Sequence, residues 1–450
     1  MARQRAGLRP APSSFAAWRP AVEQAMALHR AGRLDAAEPL YRRLLNVLPD
    51  EPNLVHFHGV LLYQRHRVSE AVAAVRRSIA LDPSVPAWHN NLGNMLLDQR
   101  QVEAAAEAYR RCLALEPGHL EAHNNLACLL RMTGHLTEAE VLLRELLTRA
   151  PTFVDAQAHL ALVLGAQGRA AEALEAGTRA LELAPESARS FRLLGQLYAQ
   201  SGRMDDAARV FSGWLARSPD DPEARHHLAA VTGRDVPDRA SDAYVTEVFD
   251  RFAASFDAKL AHLQYAAPEL CTRVLKDRAR QGHLAVLDAG CGTGLCGPLL
   301  RPLARELTGV DLSQAMLEKA RARNCYDHVV QGELTVWMQD ADRRFDAIVS
   351  ADTLCYFGAL LAVLAAARRA ATPGALLVFT VEALETDAAS GFRLQPHGRY
   401  AHARPAVERW LTQSGWRGTE VKPAVLRQEA GLPVAGWVFS ARADAPIAPS

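Results

Sequence analysis

A period of 34 residues runs through the first half of the chain, and it constrains the fold more tightly than any other feature of the sequence. Pro49, Pro83, Pro117, Pro151, Pro185 and Pro219 mark it, and Ala37, Ala71, Ala105, Ala139, Ala173 and Ala207 keep the same spacing. A third series holds only small residues: Ala25, Gly59, Gly93, Ala127, Ala161, Gly195 and Ala229. Three series in one phase identify an internal repeat. Each unit reads as two amphipathic helices, for example residues 88–99 and 102–115. Small residues let the paired helices approach where their axes cross. Gly32, Gly134, Gly168 and Gly202 sit at the turn between helices, with His66 and Arg100 in the equivalent places elsewhere. Proline then opens the next unit, because it cannot continue a helix interior. One such hairpin cannot bury its own apolar face, so neighbours must stack into a solenoid.

This pattern resembles the tetratricopeptide repeats, with about six repeats and a capping helix over residues 18–233. The resemblance implies a protein or peptide partner on the concave face. Asn91 and Asn125 occupy equivalent positions, where Phe57, His159, Leu193 and His227 stand in the other units. They could form a short peptide-holding ladder, or they could be ordinary helix-face residues. No enzymatic chemistry is visible in this half.

At 450 residues the chain calls for more than one core. Residues 1–17 read as an extension, 234–243 as a polar linker, 244–442 as a second domain and 443–450 as a tail. A formal net charge of +1 gives no electrostatic reason to expect nucleic acid or an anionic membrane. Seven cysteines without a C-x-x-C pair argue against a disulfide framework and against zinc, and no metal site is expected. No apolar run approaches the ~20 residues of a membrane span, and the start lacks a secretory core. A cytoplasmic setting follows as the expectation.

From His283 onward short apolar strands alternate with helices, the pattern of a mainly parallel sheet. The first strand, residues 284–287, runs into Asp288-Ala289-Gly290-Cys291-Gly292-Thr293-Gly294, a turn whose backbone can approach a ligand closely. Gly292, Gly294 and Gly297 also satisfy the pattern of dinucleotide-binding proteins, so an NAD-dependent oxidoreductase competes at this point. Asp288 would oppose a pyrophosphate, yet it suits the positive sulfonium and ammonium groups of S-adenosylmethionine. The next strand ends in Asp311, a carboxylate able to accept hydrogen bonds from both hydroxyls of a ribose.

With the run from Asp311 to Ala320, the strand–loop at His328 to Leu334 and the later strands, the region resembles the class I S-adenosylmethionine-dependent methyltransferases. In particular it resembles bacterial members that carry tetratricopeptide repeats. The resemblance implies an all-α repeat solenoid followed by an α/β Rossmann-like domain with an antiparallel hairpin at its carboxyl end, turning at Gly431-Leu432-Pro433. It assigns Asp288, Ala289, Gly290, Gly292, Gly294, Asp311, Leu312, Met316, Glu333, Leu334 and Ala351 to the cofactor. Glu333 stands where aspartate is commoner. The pairs Phe249-Asp250 and Phe256-Asp257 resemble a lid, or else a helix pair packing on the domain.

The loop after the fourth strand offers Asp352 and Tyr356 as an active-site wall, and His402 could serve as a base near neutrality or be a hydrogen-bonded structural residue. The loop lacks the Asn/Asp-Pro-Pro-aromatic motif of enzymes that methylate planar amino groups. A small-molecule or protein acceptor is therefore expected rather than a nucleic-acid base. The competing reading is a non-enzymatic repeat scaffold with an inactive methyltransferase-like domain.

Overall fold

The computed structural model describes residues 15–278, 283–385, 389–429 and 432–444. Residues 1–14 of the expected extension, Gly431 of the expected hairpin turn and residues 445–450 of the expected tail lie outside these. The chain divides into two compact units, Met1–Pro185 and Glu186–Ser450.

In the first unit the described residues form ten helices, from Phe15–Arg30 to Ala170–Leu183. The small-residue series is what lets them pack. Ala25, Ala37, Ala71, Ala105, Ala127, Ala139 and Ala161 have no exposed surface. A Cβ added to Gly93 would stand 2.4 Å from the Tyr109 ring, and one on Gly59 would stand 2.9 Å from Val75. His66 and Arg100 adopt the same positive φ (59° and 61°) as the turn glycines, Gly32 at 70° and Gly134 at 82°. The turn thus keeps its left-handed residue even where the sequence has no glycine. Asn91 bonds His56, and Asn125 donates to Asn90 and Asn94. These amides tie each repeat to the one before it.

The second unit opens on three further helices with repeat character, Ala188–Gln200, Met204–Arg217 and Pro222–Thr232. Gly195 here faces Phe211, as Gly93 faces Tyr109. Two helices follow, Asp242–Phe252 and Phe256–His262, and then Ala267–Arg278. The sheet comprises β1 (Leu284–Ala289), β2 (Ala304–Asp311), β3 (His328–Gln331), β4 (Phe345–Ser350), β5 (Ala371–Ala383), β6 (Phe392–Leu394), β7 (Tyr400–His402), β8 (Trp416–Glu429) and β9 (Leu432–Ala443). Its order is β3-β2-β1-β4-β5, with these neighbours parallel. Along residues 376–382, β5 pairs antiparallel with β9, and β8 lies outside β9. At Glu382 and Ala383 it also meets β7.

Alternation along β1 splits the core. Ala285, Leu287 and Ala289 join one cluster with Phe345, Phe379, Phe439 and Trp416, while Val286 joins the other with Leu300, Leu307 and Val349. β5 begins at Ala371 and absorbs residues 372–374 as an irregularity at Gly374, φ 78°. The stretch around His402 contains β7 and leads into a helix, Arg404–Gln413.

The expected linker, residues 234–243, lies within the second unit and is tied to it. Pro237 O accepts from Tyr400 Oη (2.8 Å), Asp238 O from Gly358 N (2.7 Å), and Ala240 N donates to Tyr356 O (2.8 Å). Its backbone groups satisfy those of the loop after β4, and so order that loop.

Candidate active site

A cavity opens at the carboxyl ends of β1, β2 and β4, where loops after parallel strands converge. Gly290, Gly292, Asp311, Leu312, Glu333, Leu334, Ala351, Asp352 and Tyr356 line it, all of them expected from sequence. Ala289, Asp288, Gly294 and Met316 are not among its lining residues; they lie behind it. His402 is not among them either.

The glycines of the turn serve different ends. A Cβ on Gly290 would fall 2.2 Å from Thr353, whose hydroxyl donates to the Gly290 carbonyl (3.1 Å). Around Gly292 (φ 54°) nothing lies within 4 Å of such a Cβ, so this face is open to a ligand. Gly294, Gly297 and Gly309 make room for Tyr326: added Cβ atoms would stand 2.9, 2.7 and 3.0 Å from its ring. The Tyr326 hydroxyl in turn donates to Asp288 Oδ2 (2.6 Å). Burial pushes the Asp288 carboxyl up to about 7, against the opposing pull of Tyr326, and its Oδ1 is buried with no partner among the described residues.

This arrangement does not favour a dinucleotide. The helix after the turn, Gly297–Leu300, is a single turn long and runs on into a 3-10 turn, Arg301–Leu303. A pyrophosphate needs backbone N–H groups and a helix dipole aimed at it. Here the last glycine of the pattern is occupied by Cys325 and Tyr326. At the open turn the charged groups lining the cavity are Asp311 and Glu333. Asp311 accepts from Gly292 N and Ser313 N, both at 2.9 Å, and burial raises its pKa despite those bonds. A carboxylate has about four lone-pair sites, so Asp311 keeps capacity for a ligand hydroxyl. Glu333 caps the helix Leu334–Asp340 by accepting from Thr335 N and Val336 N. Its aspartate-to-glutamate departure thus coincides with a capping role. Acid at this turn, an open glycine and an apolar floor of Leu312 and Leu334 fit a cationic nucleoside better than an anionic one.

The lid pairs are placed by their acids. Asp250 accepts from Ser313 Oγ, and Ser313 itself caps the helix Gln314–Ala322 that follows Asp311. Asp257 accepts from Thr293 Oγ1 (2.5 Å) and from Arg323 Nη2 (2.5 Å). One pair therefore anchors to the end of β2 and the other to the glycine turn. Phe249 and Phe256 are delivered into the cavity wall, where Phe249 lies edge-on to Tyr356 at 5.2 Å.

Of the two places open to it, His402 takes that of a hydrogen-bonded structural residue. It has no exposed surface, and its Nε2 lies 2.9 Å from Phe357 O and 3.0 Å from Gly358 O. Carbonyl partners require that nitrogen to donate. Burial pushes the pKa down to about 4, so the ring stays neutral and pins the loop after β4. Cys291, Cys296 and Cys355 are buried, and burial raises their thiols, against a redox role.

Several cavity residues were not expected at the site from sequence. Arg399, Arg427 and Glu429 line it, and Arg427 Nη1 meets Asp352 Oδ2 at 2.7 Å across 75 residues of chain. Arg239 and Ala240 of the expected linker line it too. Among the described residues no cluster of His, Cys, Asp and Glu could hold a metal ion, and no helix is long and apolar enough to cross a membrane.

Comparison with known proteins agrees with this geometry. A methyltransferase-domain family matches residues 286–374, from β1 into β5, and tetratricopeptide-repeat families match residues 57–118, 96–163 and 164–231. A malonyl-[acyl-carrier protein] O-methyltransferase of Pseudescherichia vulneris is 31% identical over 198 residues, 42% of this chain and 74% of that one. The enzyme of that name from Erwinia pyrifoliae is 32% identical over 32% of this chain, which spans only 53% of its length. An 18S rRNA (guanine-N(7))-methyltransferase of Bos taurus is 38% identical over 14% of this chain and 23% of its own. These relatives share a reaction class and differ in acceptor. The chain carries tetratricopeptide repeats, and its carboxyl-terminal half belongs to the methyltransferase family.

Proposed function

We propose that the second unit transfers a methyl group from S-adenosylmethionine, and that the repeats bind a protein or peptide partner. The observation that carries the first reading is the open Gly292 beside the carboxylate of Asp311 in the cavity. Asp311 would take the ribose hydroxyls, Glu333 the adenine side, and Leu312, Leu334 and Ala351 the apolar faces. Ala289 and Gly290 shape the turn. Asp288, Gly294 and Met316 support it from behind.

When bound, the cofactor supplies a methyl group already activated on sulfonium. The protein is left with positioning and exclusion of water. Phe249, Phe256 and Tyr356 form an apolar rim suited to that exclusion. Asp352 and Tyr356 face the acceptor side. The named acceptor of the first relatives is a malonyl group on a carrier protein. A protein-borne acceptor suits the repeats, and a small-molecule acceptor suits the enclosed cavity.

Isothermal titration of the full chain with S-adenosylmethionine and with its demethylated product tests this. Both should bind, and Asp311→Ala should weaken binding by about 1–3 kcal/mol through lost charge-assisted hydrogen bonds. No binding by the folded wild type, or unchanged affinity in the variant, refutes the respective assignment.

A further inference from the structure

Part of the cavity wall is built from charges that already hold one another. Arg427 points Nε at Glu429 (2.6 Å), Nη1 at Asp352 (2.7 Å) and Nη2 at Glu382. Arg399 points Nε at Glu382 (2.6 Å) and Nη2 at both oxygens of Glu429 (2.6 and 2.8 Å). Three carboxylates face two guanidiniums, and Arg427 is 2% exposed. His397, whose Nε2 is 3.5 Å from Glu382, stands at the exposed edge of this cluster. Every nitrogen of Arg427 is thus committed to a carboxylate. An incoming anion would have to break buried pairs to bind.

One group in this wall is left wanting. Asp352 Oδ1 is buried and has no hydrogen-bond partner among the described residues. Asp352 lines the cavity beside Tyr356, its backbone sits at φ 55°, and its N–H is held by Thr380 Oγ1 at 2.8 Å. A left-handed aspartate costs conformational energy that the surrounding structure must hold in place, and such positions cluster at functional sites. A buried acceptor atom without a donor costs about 1–3 kcal/mol. A ligand that donates to it recovers that cost.

On the reading of the unit as a methyltransferase, we infer that its methyl acceptor is a hydroxyl or amine on an apolar body, and not a free carboxylate. Asp352 Oδ1 takes the acceptor's O–H or N–H hydrogen bond and then its proton. Val245, Phe249, Phe256, Leu260 and Tyr265 receive the apolar body. The acceptor's lone pair forms the new bond to the methyl carbon, the carbon–sulfur bond breaks with its electron pair returning to sulfur, and the acceptor proton passes to Asp352. Burial raises the Asp352 carboxyl against the opposing pull of Arg427, which makes it a better proton acceptor than a surface aspartate.

The test uses the full chain, S-adenosylmethionine labelled in its methyl group, and a cell extract as the acceptor source. Labelled products are treated with alkali. Methyl esters release volatile methanol, whereas methyl ethers and methylamines keep the label. Alkali-stable label is expected; label released as methanol overturns the inference. In parallel, Asp352→Asn should bind S-adenosylmethionine within about twofold of wild type by calorimetry, which reports that the fold is intact. Its transfer rate should fall about 100-fold or more, and Asp352→Glu should recover part of the rate and its pH dependence. Wild-type transfer in Asp352→Asn overturns the role of the carboxylate. Failure of the wild type to bind S-adenosylmethionine would instead show that the underlying reading is at fault.

Discussion

Side chains in the first unit reach about one repeat along the chain, whereas those in the second reach across much of it. Tyr63 bonds Asp98, Asn91 bonds His56 and His159 bonds Asn124, each pair 35 residues apart. The ion pairs repeat as well: Arg67 joins Glu38 and Glu70, and Arg169 joins Glu140 and Glu172 at the equivalent places three repeats later. In the second unit Arg427 reaches Asp352 across 75 residues, Tyr400 reaches Pro237 across 163, and His226 reaches Gly398 across 172. An array with nearest-neighbour coupling tolerates a local fault locally. A sheet unit closed by distant contacts concentrates the consequence of a fault.

The strongest way to break that contrast is Arg427→Ala. It leaves Asp352, Glu382 and Glu429 without their shared cation in a buried site, and about 3–5 kcal/mol of stability should be lost. Hydrogen exchange on the full chain should show protection falling through the strands of residues 284–443 and staying in residues 15–183. Equal loss in both halves would break the comparison.

A smaller effect is expected in the array. Gly93→Leu drives a side chain into the Tyr109 ring and should cost about 1–3 kcal/mol through overpacking. Lost protection should be confined to the helices flanking Pro86–Asp98, with S-adenosylmethionine affinity unchanged. Spread of the loss along all ten helices would show stronger coupling than nearest neighbours provide. Smallest of all, Glu138→Ala removes a partner of Arg110 (3.0 Å) in a pair about half exposed. Urea unfolding should shift by less than about 1 kcal/mol, because solvent screens such pairs.

What could be read in advance follows the same divide. The period of 34 was legible because each buried position recurs, and burial of Ala37, Ala71, Ala105 and Ala139 repeats a single local requirement. The acid ending β2 was legible from a short apolar run. The Phe-Asp pairs were visible, but the targets of Asp250 and Asp257 were not, since Ser313 and Thr293 acquire meaning only when the helices fold back. The place of His402 in a strand was not legible, because a three-residue strand is too short to show alternation. Arg399 and Arg427 were not expected at the site. A lone arginine in a strand pattern looks the same whether it meets water or three carboxylates.

By itself, then, the sequence determined the repeat architecture, the parallel sheet and the glycine turn with its two acids, Asp288 and Asp311, because each rests on periodicity or on residues adjacent in the chain. Only the tertiary structure decided which of these line the cavity. It turned Gly292 and Asp311 toward the cavity and placed Asp288 behind it against Tyr326. It buried His402, and it brought Arg427, Glu382 and Glu429 from separate strands to Asp352. The physical reason is that burial and charge pairing depend on which distant segments meet in space, and no local pattern encodes that meeting.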